Sequence, residues 1–282
     1  MKYDFIKSNA EFDTVVACDV MQVSLSGYYD WQSRPMSKRD LENQKLLLML
    51  QTSFAQSHKT YGVLRLQADM DKQDTHVNHK RIARIKRDNG IYPKQFKRFV
   101  STTDSNHDSA VAKNELNREF DDVKKNQVWV SDITYIATNT GWVYLAVIID
   151  LYARKVIGWD VDNHMRASLV CNAVKNAMLV RKGLPEMFHS DRGVQYVSEK
   201  LEQILVKDKV TISMSRKGNC WDNAVSESFF GTLKQELVHH EKYENLAEVR
   251  MSLFKYIEAF YNPKRLHSTL GYKSPDEYEN AS

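Results

Sequence analysis

The segment VWVSDITYI, residues 128–136, decides how the second half of the chain folds. Its β-branched and aromatic residues are typical of a strand. Two further apolar segments follow at short intervals, WVYLAVIIDL at 142–151, after the turn Asn139-Thr140-Gly141, and KVIGWDV at 155–161. Three strands joined by such short connections predict a three-stranded meander.

Helices and shorter strands alternate after this meander. We predict a helix over 166–182 that ends at Gly183, a strand at 187–190, a helix at 198–207, a strand at 210–213, and a helix from 223 to about 239. This order is that of an α/β ribonuclease-H-like core, in which helices flank a mixed five-stranded sheet.

Residues 1–93 predict helices only. Apolar positions in 41–50 recur at helical spacing, a second helix starts after Tyr61-Gly62, and Asn78 caps a third helix over 79–88. Two short helices joined by a turn, the second of them basic, predict a helix-turn-helix-like, DNA-binding region. A small bundle that only packs on the rest of the chain is the alternative.

The composition changes again between this helical region and the meander. The polar segment 94–125 predicts a linker. We therefore divide the chain into a helical region at 1–93, a polar linker at 94–125, a catalytic core at 126–240, and a C-terminal helix with a basic and aromatic tail at 241–282.

Positive charge is concentrated in one part of the chain. The whole chain of 282 residues has a net charge of +4, whereas residues 72–100 contain nine Lys or Arg and two Asp, a surplus of seven. Such a segment is typical of a nucleic-acid-binding surface, although a solvated helix face would look similar. The residues that we expect to contact DNA here are Lys80, Arg81, Arg84, Lys86 and Arg87.

Other features of the sequence restrict the compartment. The three cysteines, Cys18, Cys171 and Cys220, are scattered, which argues against a zinc site and fits a reducing compartment. The N-terminus has no apolar signal core, and the longest apolar run, 142–149, is too short to cross a bilayer. We expect a cytoplasmic protein without a membrane partner.

Three acidic residues suggest the chemistry. Asp132 lies within a strand, Asp191 lies at a strand end, and Glu227 lies one turn into a helix, with 35 residues between the last two. Their carboxylates would form a hard-oxygen site for two Mg²⁺ ions, or Mn²⁺ in their place, that drives in-line displacement at a phosphodiester. We expect all three acids to be catalytic metal ligands, with Asp132 bridging both ions.

Several residues near these acids in the sequence are candidates for DNA contacts. Lys234 shares a helix face with Glu227, and we expect it to face a phosphate backbone. Arg192 and Lys217 are either phosphate contacts or solvated side chains, and Asn223 is either a DNA contact or a helix cap. Taken singly, each acid would be structural more often than catalytic, so the prediction depends on the ordered set.

The chain resembles the insertion-sequence transposases of family three, the OrfB-type proteins with an integrase catalytic core in the superfamily of retroviral integrases. The matching motifs are WVSDITY at 129–135, HSDRGVQY at 189–196, MSRKGNCWDNA at 214–224, ESFFGTLK at 227–234, YNPKRLHSTLGY at 261–272 with Ser274-Pro275, VSLSGYYDW at 23–31, and Tyr61-Gly62. The resemblance covers nearly the whole chain.

The resemblance implies a bacterial, nucleoid-associated enzyme. It would cut at the ends of a mobile element and join the freed 3′-hydroxyl to target DNA, as a multimer on paired ends. Members of the family commonly pass through a circular DNA intermediate. They also often work fused to a first-frame, OrfA-type protein that supplies a helix-turn-helix and a leucine zipper, and this chain shows no long heptad zipper of its own.

Two other functions fit parts of the pattern. One is a ribonuclease-H-like nuclease that never joins strands, and the basic and aromatic tail argues against it. The other is a DNA-binding protein derived from a transposase that has lost catalysis, and the intact acidic triad argues against it.

Overall fold

A computed structural model of the protein describes residues 2–94, 112–116, 123–206, 209–216 and 223–281. The helices are α1 (Lys2–Ser8), α2 (Thr14–Val20), α3 (Leu25–Ser33), α4 (Lys38–Gln56), α5 (Val63–Lys72), α6 (His79–Asp88), α7 (Ala167–Arg181), α8 (Glu199–Val206), α9 (Ala224–Glu236), α10 (Leu246–Tyr256) and α11 (Pro275–Asn280). The strands are β1 (Val128–Thr138), β2 (Gly141–Asp150), β3 (Lys155–Asp162), β4 (Met187–Ser190) and β5 (Thr211–Met214). The chain divides into two compact units, Met1–Gln51 and Thr52–Ser282.

The first unit is helical and has a small core. Helix α2 begins after Asp13, whose carboxylate accepts the backbone N–H of Val15 at 2.9 Å and so caps the helix. Ile6, Cys18 and Tyr28 are buried together, one from each of α1, α2 and α3. Helix α4 starts in this unit and ends in the second.

Helices α5 and α6 belong to the second unit. Asn78 caps α6 by accepting the N–H of Lys80 at 2.8 Å, and Gly90 has the left-handed φ of +65° after the helix ends. Ile82 and Ile85 form the buried face of α6. The predicted cap and stop of this helix are therefore confirmed.

The sheet contains five strands in the order β3-β2-β1-β4-β5. Strands β1, β2 and β3 pair antiparallel, whereas β4 pairs parallel with β1 and β5 pairs parallel with β4. This confirms the predicted meander and the mixed five-stranded, ribonuclease-H-like sheet flanked by helices.

Helix α7 lies unusually close to strand β3. Gly158 in β3 is the reason, because a Cβ there would stand 2.3 Å from the carbonyl oxygen of Ala173 and 2.6 Å from the nitrogen of Ala177. Only glycine allows this approach of a helix backbone to a strand. The apolar core between them includes Ile148 and Val174, both fully buried.

The end of α7 differs in detail from the prediction. Lys182, not Gly183, takes the left-handed conformation that ends the helix, with φ 57° and ψ 34°. Its backbone N–H returns to the carbonyl of Met178, which satisfies one of the last helix acceptors. Glycine adopts this conformation more readily than lysine, which is why the sequence predicted the helix end at Gly183, one residue later than observed.

Part of the predicted polar linker packs on the sheet. Residues 112–116 run beside the edge strand β5, where the N–H of Met214 donates to the carbonyl of Lys113 at 3.2 Å. Leu116 is buried. The rest of 95–122 lies outside the described residues, and the domain boundaries stay a prediction.

An ion cluster holds the last helix to the core. Arg181 of α7 donates to Asp150 of β2 at 2.7 Å and to both carboxylate oxygens of Glu279 of α11, each at 2.7 Å. The three side chains are at most 7% exposed, and Lys125 adds a 2.8 Å ion pair to Glu279. The cluster ties α11 to the middle of the chain.

The C-terminal segment also holds helix α5. The Tyr61 hydroxyl accepts the N–H of Leu266 at 2.8 Å and donates to the carbonyl of Lys264 at 3.3 Å. At the other end of α5, Lys72 forms an ion pair with Glu277. The helix-turn-helix-like pair is thus anchored to the tail of the same unit. None of the helices in the described ranges is long and apolar enough to span a membrane.

Candidate active site

Strand pairing brings two of the three predicted acids to adjacent positions. In the parallel pair of β1 and β4, Ser131 is opposite Ser190, and this is the last pair of the ladder. Asp132 and Asp191 are the next residues on the two strands. They therefore lie at the same edge, where β4 ends and β1 continues.

The electrostatics of Asp132 show that both other acids act on it. Burial raises the pKa of Asp132 well above its usual range, and the like charges of Asp191 and, more weakly, Glu227 raise it further. The N–H of Ile133, at 2.7 Å from its carboxylate, and Lys234 oppose this shift. The like charges around Asp132 thus repel its carboxylate, and a cation would relieve this repulsion.

Asp191 is fixed by the glycine two residues later. The N–H of Gly193 donates to Asp191 Oδ1 at 3.0 Å. A Cβ at Gly193 would meet that oxygen at 3.1 Å and Gln195 Oε1 at 2.8 Å. A side chain at position 193 would therefore press on the carboxylate that this turn orients and displace the end of Gln195.

Helix α9 positions Glu227. Val225, Phe229 and Leu233 are buried on one face of the helix. Glu227 lies in the first turn on the opposite, exposed face, and partial burial raises its pKa. A Cβ at Gly231, one turn after Glu227, would meet nothing within 4 Å, so the helix is open at this position.

The acids do not converge as tightly as a metal centre requires. Within the described ranges, no three His, Cys, Asp or Glu side chains lie close enough together to hold a metal ion. Asp132 and Asp191 are adjacent in the strand register, and Glu227 affects the pKa of Asp132 more weakly than Asp191 does. The catalytic role and the metal-binding role of the triad stay predictions.

Lys234 lies beside the acids but is buried. Its ammonium is 4.9 Å from the centre of the Tyr135 ring, and only 7% of the residue is exposed. Burial lowers its pKa, while Asp132 counteracts that shift. Tyr135 in turn packs edge to face on Trp142 at 5.0 Å, and both rings are exposed. The predicted phosphate contact of Lys234 is untested.

His189 is a packed strand residue in this structure. Ser213 Oγ accepts the N–H groups of Glu115 and Leu116, so its own hydrogen is available for His189 Nδ1 at 2.9 Å. The imidazole proton then lies on Nε2, which is 3.3 Å from Ser215 Oγ. His189 is fully buried, and these bonds tie the end of β4 to β5.

Two of the predicted DNA contacts, Arg192 and Asn223, bond to backbone groups near the acids. Arg192 donates its Nε–H to the carbonyl of Ser215 at 2.7 Å and is half-buried. Asn223 is buried, makes no side-chain cap bond, and donates to the carbonyl of Ser131 at 3.2 Å. The cap reading of Asn223 is therefore wrong, because its side-chain oxygen accepts no backbone N–H of α9, while its NH2 group contacts β1. Lys217 lies outside the described residues.

The basic helix α6 differs from the prediction at one residue. Lys80 and Arg87 are exposed, and Arg81 and Arg84 are half-buried. Lys86 is only 5% exposed, because its ammonium donates to the carbonyl of Tyr61 at 3.2 Å. Lys86 is thus held inside the unit, which corrects the prediction that it contacts DNA.

Sequence reasoning missed one residue beneath the site. The hydroxyl of Tyr196 lies 2.9 Å from Ser131 Oγ, directly behind the acid-bearing edge. Burial, followed by the charges of Asp191 and Asp132, raises the pKa of Tyr196 well above its usual range. The only signal in the sequence was its place in the motif at 189–196.

Models of known families match most of the chain. An integrase core domain matches residues 122–220, a second integrase core domain matches 208–275, and an HTH-like domain matches 40–99. The matches include both the edge that carries Asp132 and Asp191 and the helix that carries Glu227.

Relatives of similar length match almost from end to end. The insertion element IS600 uncharacterized 31 kDa protein of Shigella sonnei is 40% identical over 261 residues, which cover 92% of this chain and 95% of the relative. The transposase InsF for insertion sequence IS3A of Escherichia coli (strain K12) is 39% identical over 284 residues, 99% of each chain.

Two solved structures align with part of this chain at 15% identity. A simian T-cell lymphotropic virus intasome in complex with PP2A regulatory subunit B56 gamma aligns with a TM-score of 0.49, over 63% of this chain and 62% of that chain. The HTLV-2 integrase catalytic core domain in complex with magnesium aligns with a TM-score of 0.42, over 55% and 97%.

Proposed function

Because this chain belongs to the insertion-sequence transposases of family three, we propose that Asp132, Asp191 and Glu227 form the site where it cuts and joins DNA. The chain is a DNA transposase and therefore a polynucleotidyl transferase. The observation that carries the proposed site is the strand register, which sets Asp132 beside Asp191. The rise in the pKa of Asp132 that the charges of Asp191 and, more weakly, Glu227 cause supports it.

The three carboxylates suit a hard divalent cation. Oxygen ligands of like charge match Mg²⁺, and we propose two Mg²⁺ ions held by Asp132, Asp191 and Glu227, with Mn²⁺ able to replace them. Such a pair of ions supplies activation of the attacking oxygen and stabilisation of the leaving oxygen. Convergence of Glu227 on the other two acids is part of this proposal.

The residues around the acids would orient them. Gly193 fixes one Asp191 oxygen through its N–H, and the Ile133 N–H does the same for Asp132. Asn223 joins α9, which carries Glu227, to β1 through the carbonyl of Ser131. These bonds limit how the carboxylates rotate, so that the scissile phosphate would meet a preorganised set of ligands.

We place the DNA on two surfaces of the chain. Lys80, Arg81, Arg84 and Arg87 of α6 would contact the element ends. Lys234 and Arg192 would contact the backbone near the cut, and Lys217 stays a prediction. Paired ends imply a homo-multimer, and a first-frame, OrfA-type protein is the proposed partner or fusion. We assign the working enzyme to the bacterial cytoplasm, on the nucleoid.

The test uses labelled element-end DNA with Mg²⁺ and three proteins. Wild type should give both cut and joined strands. Glu227→Gln should give neither and should bind the DNA as well as wild type, because it loses a metal ligand and no phosphate contact. Glu202→Gln, at an exposed glutamate of α8, is the matched control and should behave as wild type.

Each other outcome has a defined meaning. Cut strands without joined strands would favour a nuclease, and addition of the first-frame protein would then show whether joining needs that partner. Equal binding without any products from all three proteins would identify a DNA-binding protein that has lost catalysis. Products from Glu227→Gln at the wild-type rate would refute the proposed site.

A further inference from the structure

Two exposed aromatic rings lie on strands β1 and β2, close to the edge that carries the acids. Trp142 is 55% exposed and Tyr135 is 39% exposed. Among the tryptophans in the described ranges, Trp142 is the only one with an exposed side chain. A contiguous exposed apolar patch is typical of an interaction site, unlike a single exposed side chain.

The strand register sets the two rings on one face of the sheet. Trp142 is opposite Ala137, and Tyr135 is opposite Tyr144. Side chains two positions apart on a strand share a face, so Tyr135 and Trp142 are diagonal neighbours. Their ring centres are 5.0 Å apart at an interplanar angle of 88°. An edge-to-face contact of this kind orients the indole and leaves at least one of its faces uncovered.

The pair lies next to the acids on the same strand. Strand β4 ends at Ser190, opposite Ser131, so from Asp132 onward β1 pairs only with β2 within the described ranges. We call this part of β1 the open edge. Tyr135 is three residues beyond Asp132, about 10 Å along a strand that rises about 3.4 Å per residue. Bases on one DNA strand have nearly the same spacing, so the pair is about three bases from a phosphate at the acids.

Lys234 lies between the acids and the aromatic pair. Asp132 and Tyr135 are three positions apart, so their side chains leave β1 on opposite faces. The Lys234 ammonium lies over the Tyr135 ring at 4.9 Å, and burial lowers its pKa while the charge of Asp132 opposes that shift. Since Lys234 covers a face of Tyr135, the indole of Trp142 is the ring that we assign to a ligand. A cation beside an exposed aromatic ring matches the phosphate and the base of a nucleotide.

The turn between β1 and β2 limits the patch to one base. The Asn139 side chain donates to the carboxylate of Glu244 at 2.8 Å, and its backbone N–H donates to the carbonyl of Tyr243 at 2.9 Å. A negative charge is therefore held at the turn that precedes Trp142, and it repels a further phosphate. A DNA strand that reaches the indole from the acids would not continue past it.

We propose that Trp142 stacks on one unpaired base of the DNA, about three bases from the phosphate that the acids cut. Because every base has a π-face, the site accepts any base, but only where the base pair is open. The inference rests on the proposed function, since it describes how the same site holds its DNA. A second copy of this chain would cover the same ring, and the tests separate the two occupants.

Photo-crosslinking identifies the contact itself. Iodouracil replaces each base near the cut in turn, on both strands of element-end DNA, in a Glu227→Gln background so that no strand is cut. The crosslink to Trp142 should appear at one position, about three bases from the cut. Trp142→Phe should keep this crosslink because it keeps an aromatic ring.

Affinity for the same DNA measures the stack. Trp142→Ala should weaken binding by about 5- to 150-fold, the range for one base–aromatic stack, whereas Trp142→Phe should stay close to the parent. Phe254→Ala, at a 53% exposed ring of α10, is the matched control and should bind as the parent does. An abasic site at the crosslinked position should remove the difference between the parent and Trp142→Ala, because the base is then missing in both complexes.

Two results would overturn the proposal. One is unchanged affinity of Trp142→Ala together with no crosslink to Trp142 at any position. The other is a smaller multimer of Trp142→Ala in sedimentation, with an affinity difference that the abasic site leaves unchanged, which would identify a contact between copies. These assays need binding and no cutting, so failure of wild type to cut and join would count against the proposed function instead.

Discussion

Replacing Glu279 by glutamine should release the last helix from the core. Burial alone would raise the pKa of Glu279, yet hydrogen bonds from Arg181 and Lys125 lower it to about 2 from an ordinary value of 4.5. Its side chain is only 7% exposed, so solvent screens these bonds little. Glutamine keeps the size of the side chain and removes its charge.

The shift in pKa sets the size of the effect. Two and a half pKa units at about 1.4 kcal/mol each give about 3 kcal/mol of stability at pH 7. Loss of one partner from a buried ion pair costs about 3–5 kcal/mol, which agrees with this value. Because the folded-state pKa is depressed, the contribution is complete above pH 4.5 and is lost as the pH falls from 4.5 towards 2.

Urea unfolding of wild type and Glu279→Gln at several pH values measures this difference. We expect a gap of about 3 kcal/mol at pH 7 that narrows steadily below pH 4.5. Glu202→Gln, at an exposed glutamate of α8, should stay within about 0.5 kcal/mol of wild type. A gap below about 1 kcal/mol at pH 7, or one that does not change with pH, would falsify the assignment of this cluster as the clamp on α11.

Three further changes test other parts of the structure. Lys234→Ala should weaken DNA binding and lower its salt slope by about one, whereas Lys234→Arg should keep both. The pKa of His267 is about 2 in the folded protein and 6.5 in the unfolded chain, so below pH 6.5 only the unfolded chain takes up a proton at this residue. The free energy of unfolding of wild type should therefore fall by about 2 kcal/mol more than that of His267→Gln between pH 7 and 5, as measured by urea unfolding. Gly158→Ala should cost about 1–3 kcal/mol in thermal or urea unfolding because its Cβ meets the α7 backbone, whereas Gly231→Ala, with open space, should not destabilise the protein. Equal stability of the two alanine variants would contradict the close-packing argument.

The sequence was sufficient to predict the strands of the sheet and the proximity of Asp132 and Asp191. Runs of β-branched residues predicted the meander, and the position of Asp191 after a short strand predicted its approach to Asp132. Both depend on local patterns, which strand periodicity and parallel pairing convert directly into position.

Contacts between distant residues could not be predicted in this way. Asn223 is in the right place for a helix cap, yet its amide bonds to Ser131, 92 residues earlier in the chain. Lys86 looks like its basic neighbours, but its place on α6 beside Ile82 and Ile85 puts it on the buried face. In each case tertiary packing determined which hydrogen-bond partner the polar side chain has.

The bond between Tyr61 and Leu266 also governs the order in which the chain can fold. The two residues are separated by 205 positions, so α5 leaves the ribosome long before the segment that holds it has been made. Closing a contact of such long range is slow compared with forming the helix itself. Helices α5 and α6 can therefore form this bond only after the C-terminal segment has been synthesised. A chain that ends before Leu266 lacks the partner of Tyr61.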